Sequence, residues 1–312
     1  MAKSPMTEQE SNTHPLPSKS APVSDQRNQP GSEDGGLRDQ PGPGREDDAE
    51  RAQRLDRSGR SNFQGRRYTA ASRDYGAAAR LYQQEGRTDL AARSRIHQAA
   101  CFLMVNDPDR ALEILGEAEP LIASLDDPQL RAALAGNRGL ARAAQGEYQQ
   151  AAACHKQVLE IGEGLGDDSL RLQAQIHLAD SYLGEGRTRQ ALGFALVARD
   201  LAQTLDRPAP LVKVHNLLGL ITARRGNHQS ALEHLRTAQS LAQKTGSLPE
   251  LALSLANQAL SQEALTNNQR AVELMTRALD LMKQTQTGDQ NQARRDLDRM
   301  KSGLGRPDGE SA

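Results

Sequence analysis

Residues 144–161 read AQGEYQQAAACHKQVLEI, and the same frame returns at 184–201 as GEGRTRQALGFALVARDL and at 224–241 as RRGNHQSALEHLRTAQSL. Alanine stands at the same place each time: Ala111, Ala151, Ala191, Ala231 and Ala271 are 40 residues apart, followed by Leu112, Ala152, Leu192, Leu232 and Val272. Twelve residues before each anchor comes another small residue (Ala99, Gly139, Ala179, Gly219, Ala259), and seven after it Ala118, Val158, Ala198, Ala238 or Ala278. Ten after it stands Leu121, Ile161, Leu201, Leu241 or Leu281. Five before it is a turn-former in four units (Asn106, Gly146, Gly186, Gly226), with Thr266 in the fifth.

Apolar residues at offsets of 0, +4, +7 and +10 trace one face of a 3.6-residue helix, and the turn-former separates that helix from the one before it. Each unit is therefore a pair of antiparallel helices. Small residues let the two backbones approach, and the later leucine fills the space between units. No such pair buries its apolar face alone, so units must stack. Asp107-Pro108, Asp127-Pro128, Arg207-Pro208 and Ser247-Leu248-Pro249-Glu250 look like helix starts, since proline suits a first helical turn and Ser247 with Glu250 has capping-box spacing. The hairpins fall at 88–127, 128–167, 168–207, 208–247 and 248–287, with an extra leading helix at Tyr68–Gln84 and a polar closing helix at Asn291–Lys301.

The ends read differently. Residues 1–67 hold half of the 14 prolines and few large apolar residues (Leu16, Val23, Leu37, Leu55, Phe63). So little apolar surface does not offset the entropy of ordering the backbone. A disordered tail over 1–67 is expected, with Glu46 to Arg57 at best a transient helix, then a helical repeat domain over 68–303 and a disordered end at 304–312. The fold class is all-α.

The pattern resembles the tetratricopeptide repeat (TPR) in its 40-residue form, similar to that of G-protein-signalling modulators and kinesin light chains. The residues that carry the resemblance are Asn137-Arg138-Gly139 and Asn257-Gln258-Ala259, against the family's Asn-Leu-Gly, and Gly146-Glu147-Tyr148 with Ala151. The family's aromatic nine residues before the anchor is present as Phe102 and Tyr182 but is Arg142, Thr222 and Gln262 elsewhere, which leads one to expect looser packing there. The resemblance implies a right-handed superhelical solenoid whose first helices line a concave groove for a peptide. At offsets -18, -14, -11 and -7 that groove would hold Arg93, His97, Asn137, Gln173, His177, Asp180, Lys213, Arg224 and Asn257, among Ala100, Met104, Leu140, Leu217, Leu220 and Leu260. Asn216 lies one position from the column that Leu217 interrupts, and Lys213 with Asn216 resembles the Lys and Asn pairs by which some members hold peptide carboxy-termini. Side-chain amides donate and accept at once, as reading a peptide backbone requires.

Chemistry for other functions is missing from the sequence. There is no Gly-rich phosphate loop, Gly-x-Ser-x-Gly, His-Glu-x-x-His or Cys-x-x-Cys, so neither an enzyme nor a cofactor is expected. Cys101 and Cys154 read as small buried hydrophobes, His155 as a core residue, and Asp126, Asp127, Asp167 and Asp168 as helix caps rather than a metal site. A formal net charge of -1, with 11 basic and 11 acidic residues over 1–67, gives nucleic acid no basic face to meet. No run approaches a membrane span, and a cytoplasmic protein is expected. The expected function is a scaffold or adaptor that binds a protein or peptide segment. The alternatives are a regulator taking a short signalling peptide and a non-catalytic subunit of an enzyme complex.

Overall fold

The structure, a computed structural model, describes residues 47–304. The expected disordered segments therefore lie partly outside the described residues, at 1–46 and 305–312. Those that are described form thirteen α-helices and no strand. Their contacts divide into two compact units, one ending at Leu134 and one beginning at Ala135. Among the described residues no helix is long and apolar enough to cross a membrane.

In the first unit α1 (Asp48–Gln64) packs on α2 (Tyr68–Gln84), α2 on α3 (Thr88–Met104) and α3 on α4 (Pro108–Ala123), and α5 (Pro128–Ala144) begins. Helix α1 is a correction to the reading of 1–67 as a tail. It needs only a narrow buried stripe, because Ala52 and Gly59 bring it close to α2. Ala52 is fully buried in a cluster with Ala78, Tyr82 and Ala91, and Phe63 meets Tyr68 edge-on at 5.3 Å. Polar side chains complete the fit: Ser58 and Asn62 both donate to the Asp74 carboxylate at 2.7 Å, and Ser94 donates to Asp56 at 3.2 Å. Tyr68–Gln84 is thus the second helix of a further unit, with Ala71 as its fully buried anchor, 40 residues before Ala111.

The second unit continues with α6 (Tyr148–Leu165), α7 (Asp168–Gly184), α8 (Thr188–Thr204), α9 (Pro208–Arg224), α10 (His228–Thr245), α11 (Leu248–Ala264), α12 (Asn268–Thr285) and α13 (Gln290–Leu304). From α6 onward each packs on its successor, and α9 also touches α7 and α11. All the anchors from Ala71 to Ala271 are fully buried. One cluster joins α6 to α9 through Ala152, Leu178, Tyr182, Ala195, Leu218 and Ile221, and another joins α9 to α13 through Val212, Leu255, Met275, Leu297 and Met300.

The turn inside each pair is the same closure repeated. The residue five before the anchor takes a positive φ: Arg66 58°, Asn106 58°, Gly146 80°, Gly186 77°, Gly226 82° and Thr266 62°. The next N–H then bonds back five residues, as Asn227 N–H does to the Thr222 carbonyl at 3.1 Å, which satisfies an orphan carbonyl at the helix end. Asp107, Asp127, Asp167 and Asn227 accept from the N–H three residues on and cap the helix starts. The Ser247–Glu250 capping box does not form: Ser247 makes no side-chain cap, and the Glu250 carboxylate accepts from Asn216 at 3.4 Å instead. Where the aromatic nine before the anchor is missing, hydrogen bonds close the gap. Arg142 donates to Glu147 at 2.6 Å, Thr222 to the Leu218 carbonyl at 2.6 Å, and Asn267 to Gln262 at 2.8 Å.

Candidate functional site

The stripe at offsets -18 to -7 runs along one face of each first helix, and the two units present it separately. In the first unit Arg93 and His97 are half-buried on α3, and Met104 is 53% exposed. The His97 ring leans on Tyr75 at 5.1 Å.

In the second unit the stripe has three kinds of chemistry. On α7, Gln173 and Asp180 are exposed, while His177 stacks on the fully buried His155 with centroids 5.0 Å apart. Burial, then the neighbouring charge of Lys213, pushes His177 down to about 4; burial, then His177, pushes His155 down to about 3. Both rings are therefore neutral near pH 7, and a neutral imidazole offers one donor and one acceptor.

On α9, Lys213 and Arg224 are exposed at the two ends of the face with Leu217 and Leu220 between them. Arg224 donates to the Leu183 carbonyl at 2.7 Å, so it is already engaged with α7. Lys213 has no carboxylate within ion-pair distance among the described residues. On α11, Leu253 and Leu260 are 44% and 36% exposed, two turns apart on one face. A small cleft of about 60 Å³ opens between α9 and α11 over α10. Gly219, Leu220 and Ala223, then Leu235, then Leu260 and Ser261 supply most of its wall, with Asn257 and His228 as its larger polar groups.

The placements separate the sequence-derived candidates. Gln173, Asp180, Lys213 and Arg224 are open to solvent; Arg93, His97, Asn137 and His177 are half-buried; Asn257 is buried at the cleft. Asn216 is turned away: it is 3% exposed, accepts from Ser254 at 2.8 Å and donates toward Glu250, tying α9 to α11. A paired Lys213–Asn216 clamp is therefore not assembled. Sequence reasoning passed over Leu253, at the same -18 offset as Lys213 and Gln173. Its signal was an apolar residue in a column otherwise polar or small. Among the described residues no three His, Cys, Asp or Glu side chains gather as a metal site.

The sequence matches the models of the tetratricopeptide repeat over residues 134–169 and 211–284. No curated protein matches the chain in sequence. Among solved structures, a Rap protein complexed with competence and sporulation factor is similar with a TM-score of 0.64 and 16% identity, over 82% of this chain and 72% of that one. Aspartyl phosphate phosphatase F from Bacillus subtilis gives a TM-score of 0.61 at 11% identity, over 85% and 73%. NprR in complex with its cognate peptide NprX gives 0.58 at 14%, over 72% and 67%. At these identities the likeness is one of fold. The helix pairs recur every 40 residues, and over residues 134–169 and 211–284 the sequence carries tetratricopeptide repeats.

Proposed function

We propose that the first-helix face of the second unit, across α7, α9 and α11, binds a segment of another protein, and that the chain serves as a scaffold or adaptor rather than a catalyst. One observation carries the reading. Leu217, Leu220, Leu253 and Leu260 stay open or half-open beside His177, Asn257 and Lys213, so apolar contact and hydrogen bonding are offered on one surface. That mixture suits a peptide, whose side chains pack while its main chain is read by polar groups. A helix face meant only for water carries charged and polar residues instead. The NprR structure, of the same fold, holds its cognate peptide, which supports the second reading of a regulator that takes a short signalling peptide.

The test is a footprint. The full chain is used as bait, and the captured partner is mapped by hydrogen exchange. Protection is expected on α7, α9 and α11. Protection confined to α8, α10 and α12 would place binding on the opposite face and end this reading.

A further inference from the structure

The face just described is not uniform, and its asymmetry says which peptide it fits. The cleft at Leu220, Ala223, Leu260 and Ser261 exists because Gly219 has no side chain: a Cβ there would lie 2.5 Å from Leu235 Cγ, so Leu235 slides beneath α9 and becomes the apolar floor. At about 60 Å³, where a cavity of about 150 Å³ takes the six carbons of a benzene, the space takes about two to three carbon atoms. That is the size of the branched or terminal end of one leucine, isoleucine or methionine side chain.

Lys213 stands on the same face of α9, seven residues before Leu220. Seven residues of helix rise about 10 Å, and an extended chain covers that in about three residues. Of the two cations bracketing the leucines, Arg224 already donates to Leu183, and Asp180 lies beside it. Lys213 is left with no carboxylate partner among the described residues. A cation without a partner at the edge of an apolar cleft favours an anion there.

We propose that the occupant is an extended peptide segment carrying an aliphatic side chain, seated in the Leu220–Leu260 cleft, and an aspartate or glutamate about three residues away that pairs with Lys213. This rests on the peptide-binding reading above and narrows it to an acidic–aliphatic motif. The aliphatic group supplies affinity by leaving water, and the ion pair fixes direction and register.

The probe is a library of random short peptides selected on the full chain. Enriched sequences are expected to share an aliphatic residue with an acidic one about three positions away. Titration of an enriched peptide should weaken about tenfold or more with Leu260→Ser and with Lys213→Glu. Replacing the peptide's acid by lysine should restore binding to Lys213→Glu. Val197→Ser, at a still more open apolar site on α8, should change nothing. If enriched peptides lack the motif, or bind both variants as they bind the parent while hydrogen exchange still protects α7, α9 and α11, the motif is wrong and the groove stands. Protection elsewhere overturns both. An absence of any enriched peptide also overturns the motif, and the lysate footprint then decides the groove on its own.

Discussion

Leu235 lies where a side chain on Gly219 would have to go: a Cβ built on Gly219 comes within 2.5 Å of Leu235 Cγ and 3.3 Å of the Ala231 carbonyl. The same lock recurs 80 residues earlier, where His155 covers Gly139 at 2.5 Å, and again in the first unit, where Tyr75 covers Gly59 at 3.0 Å. In each case the large residue is four after the anchor and the glycine twelve before it. Glycine is thus used to admit bulk across a helix crossing, against its own poor helix propensity.

Two glycine-to-alanine changes should therefore have opposite signs. Gly219→Ala should cost about 1–2 kcal/mol, because overpacking a tight crossing outweighs the roughly 1 kcal/mol gained in helix propensity. Gly193→Ala, in the middle of α8 with nothing within 4 Å of the added carbon, should stabilise by about 0.5–1 kcal/mol. Urea unfolding of the two variants beside the parent is the measurement. A stabilised Gly219→Ala would mean that α9 and α10 do not cross there.

The stacked pair His155 and His177 makes a prediction about acid. An imidazole held below its ordinary 6.5 stays neutral in the fold, so as pH falls the unfolded chain takes up the proton first. Stability is then lost between about pH 6.5 and about pH 4 for His177, and down to about pH 3 for His155. The groups that face His155 are Gly139 from α5 and His177 from α7, with Lys213 of α9 beyond His177; none of them supplies a counter-charge. His155→Leu should fold, because Leu235 already fills the equivalent place over Gly219. Urea midpoints across this range should show the parent losing about 1 kcal/mol or more relative to the variant. Parallel curves would show that His155 protonates as readily folded as unfolded.

The repeat was legible because close helix crossings demand small residues at fixed spacing, and Ala111 to Ala271 keep that spacing without a break. The unit at Ala71 obeys the same rule, with Gly59 twelve residues before it and Ala78 seven after. It was masked by composition: α1 buries only Ala52 and Gly59, and its hydrogen bonds through Ser58 and Asn62 carry no apolar signal. The candidate site was legible only as a stripe. Offsets say which side of a helix a residue occupies. They do not say that Asn216 would spend its amide on Ser254 and Glu250, or that Arg224 would reach back to Leu183, because those depend on the neighbouring helix.

Whether α1 is part of the folded protein can be read from a single buried methyl. Ala52 is fully buried against Ala78, Tyr82 and Ala91, so Ala52→Glu forces a carboxylate into an apolar contact with no partner. Burying an unpaired charge is among the costliest of single changes, and the loss should be about 2 kcal/mol or more. Glutamate is itself a good helix former, so the change would leave a helix that merely flickers in solvent unaffected. Arg51→Glu, one residue away and exposed, should shift stability by no more than about 0.5 kcal/mol. Thermal unfolding of the full chain, followed by circular dichroism, separates the two. A parent-like melting curve for Ala52→Glu would return residues 48–64 to the tail.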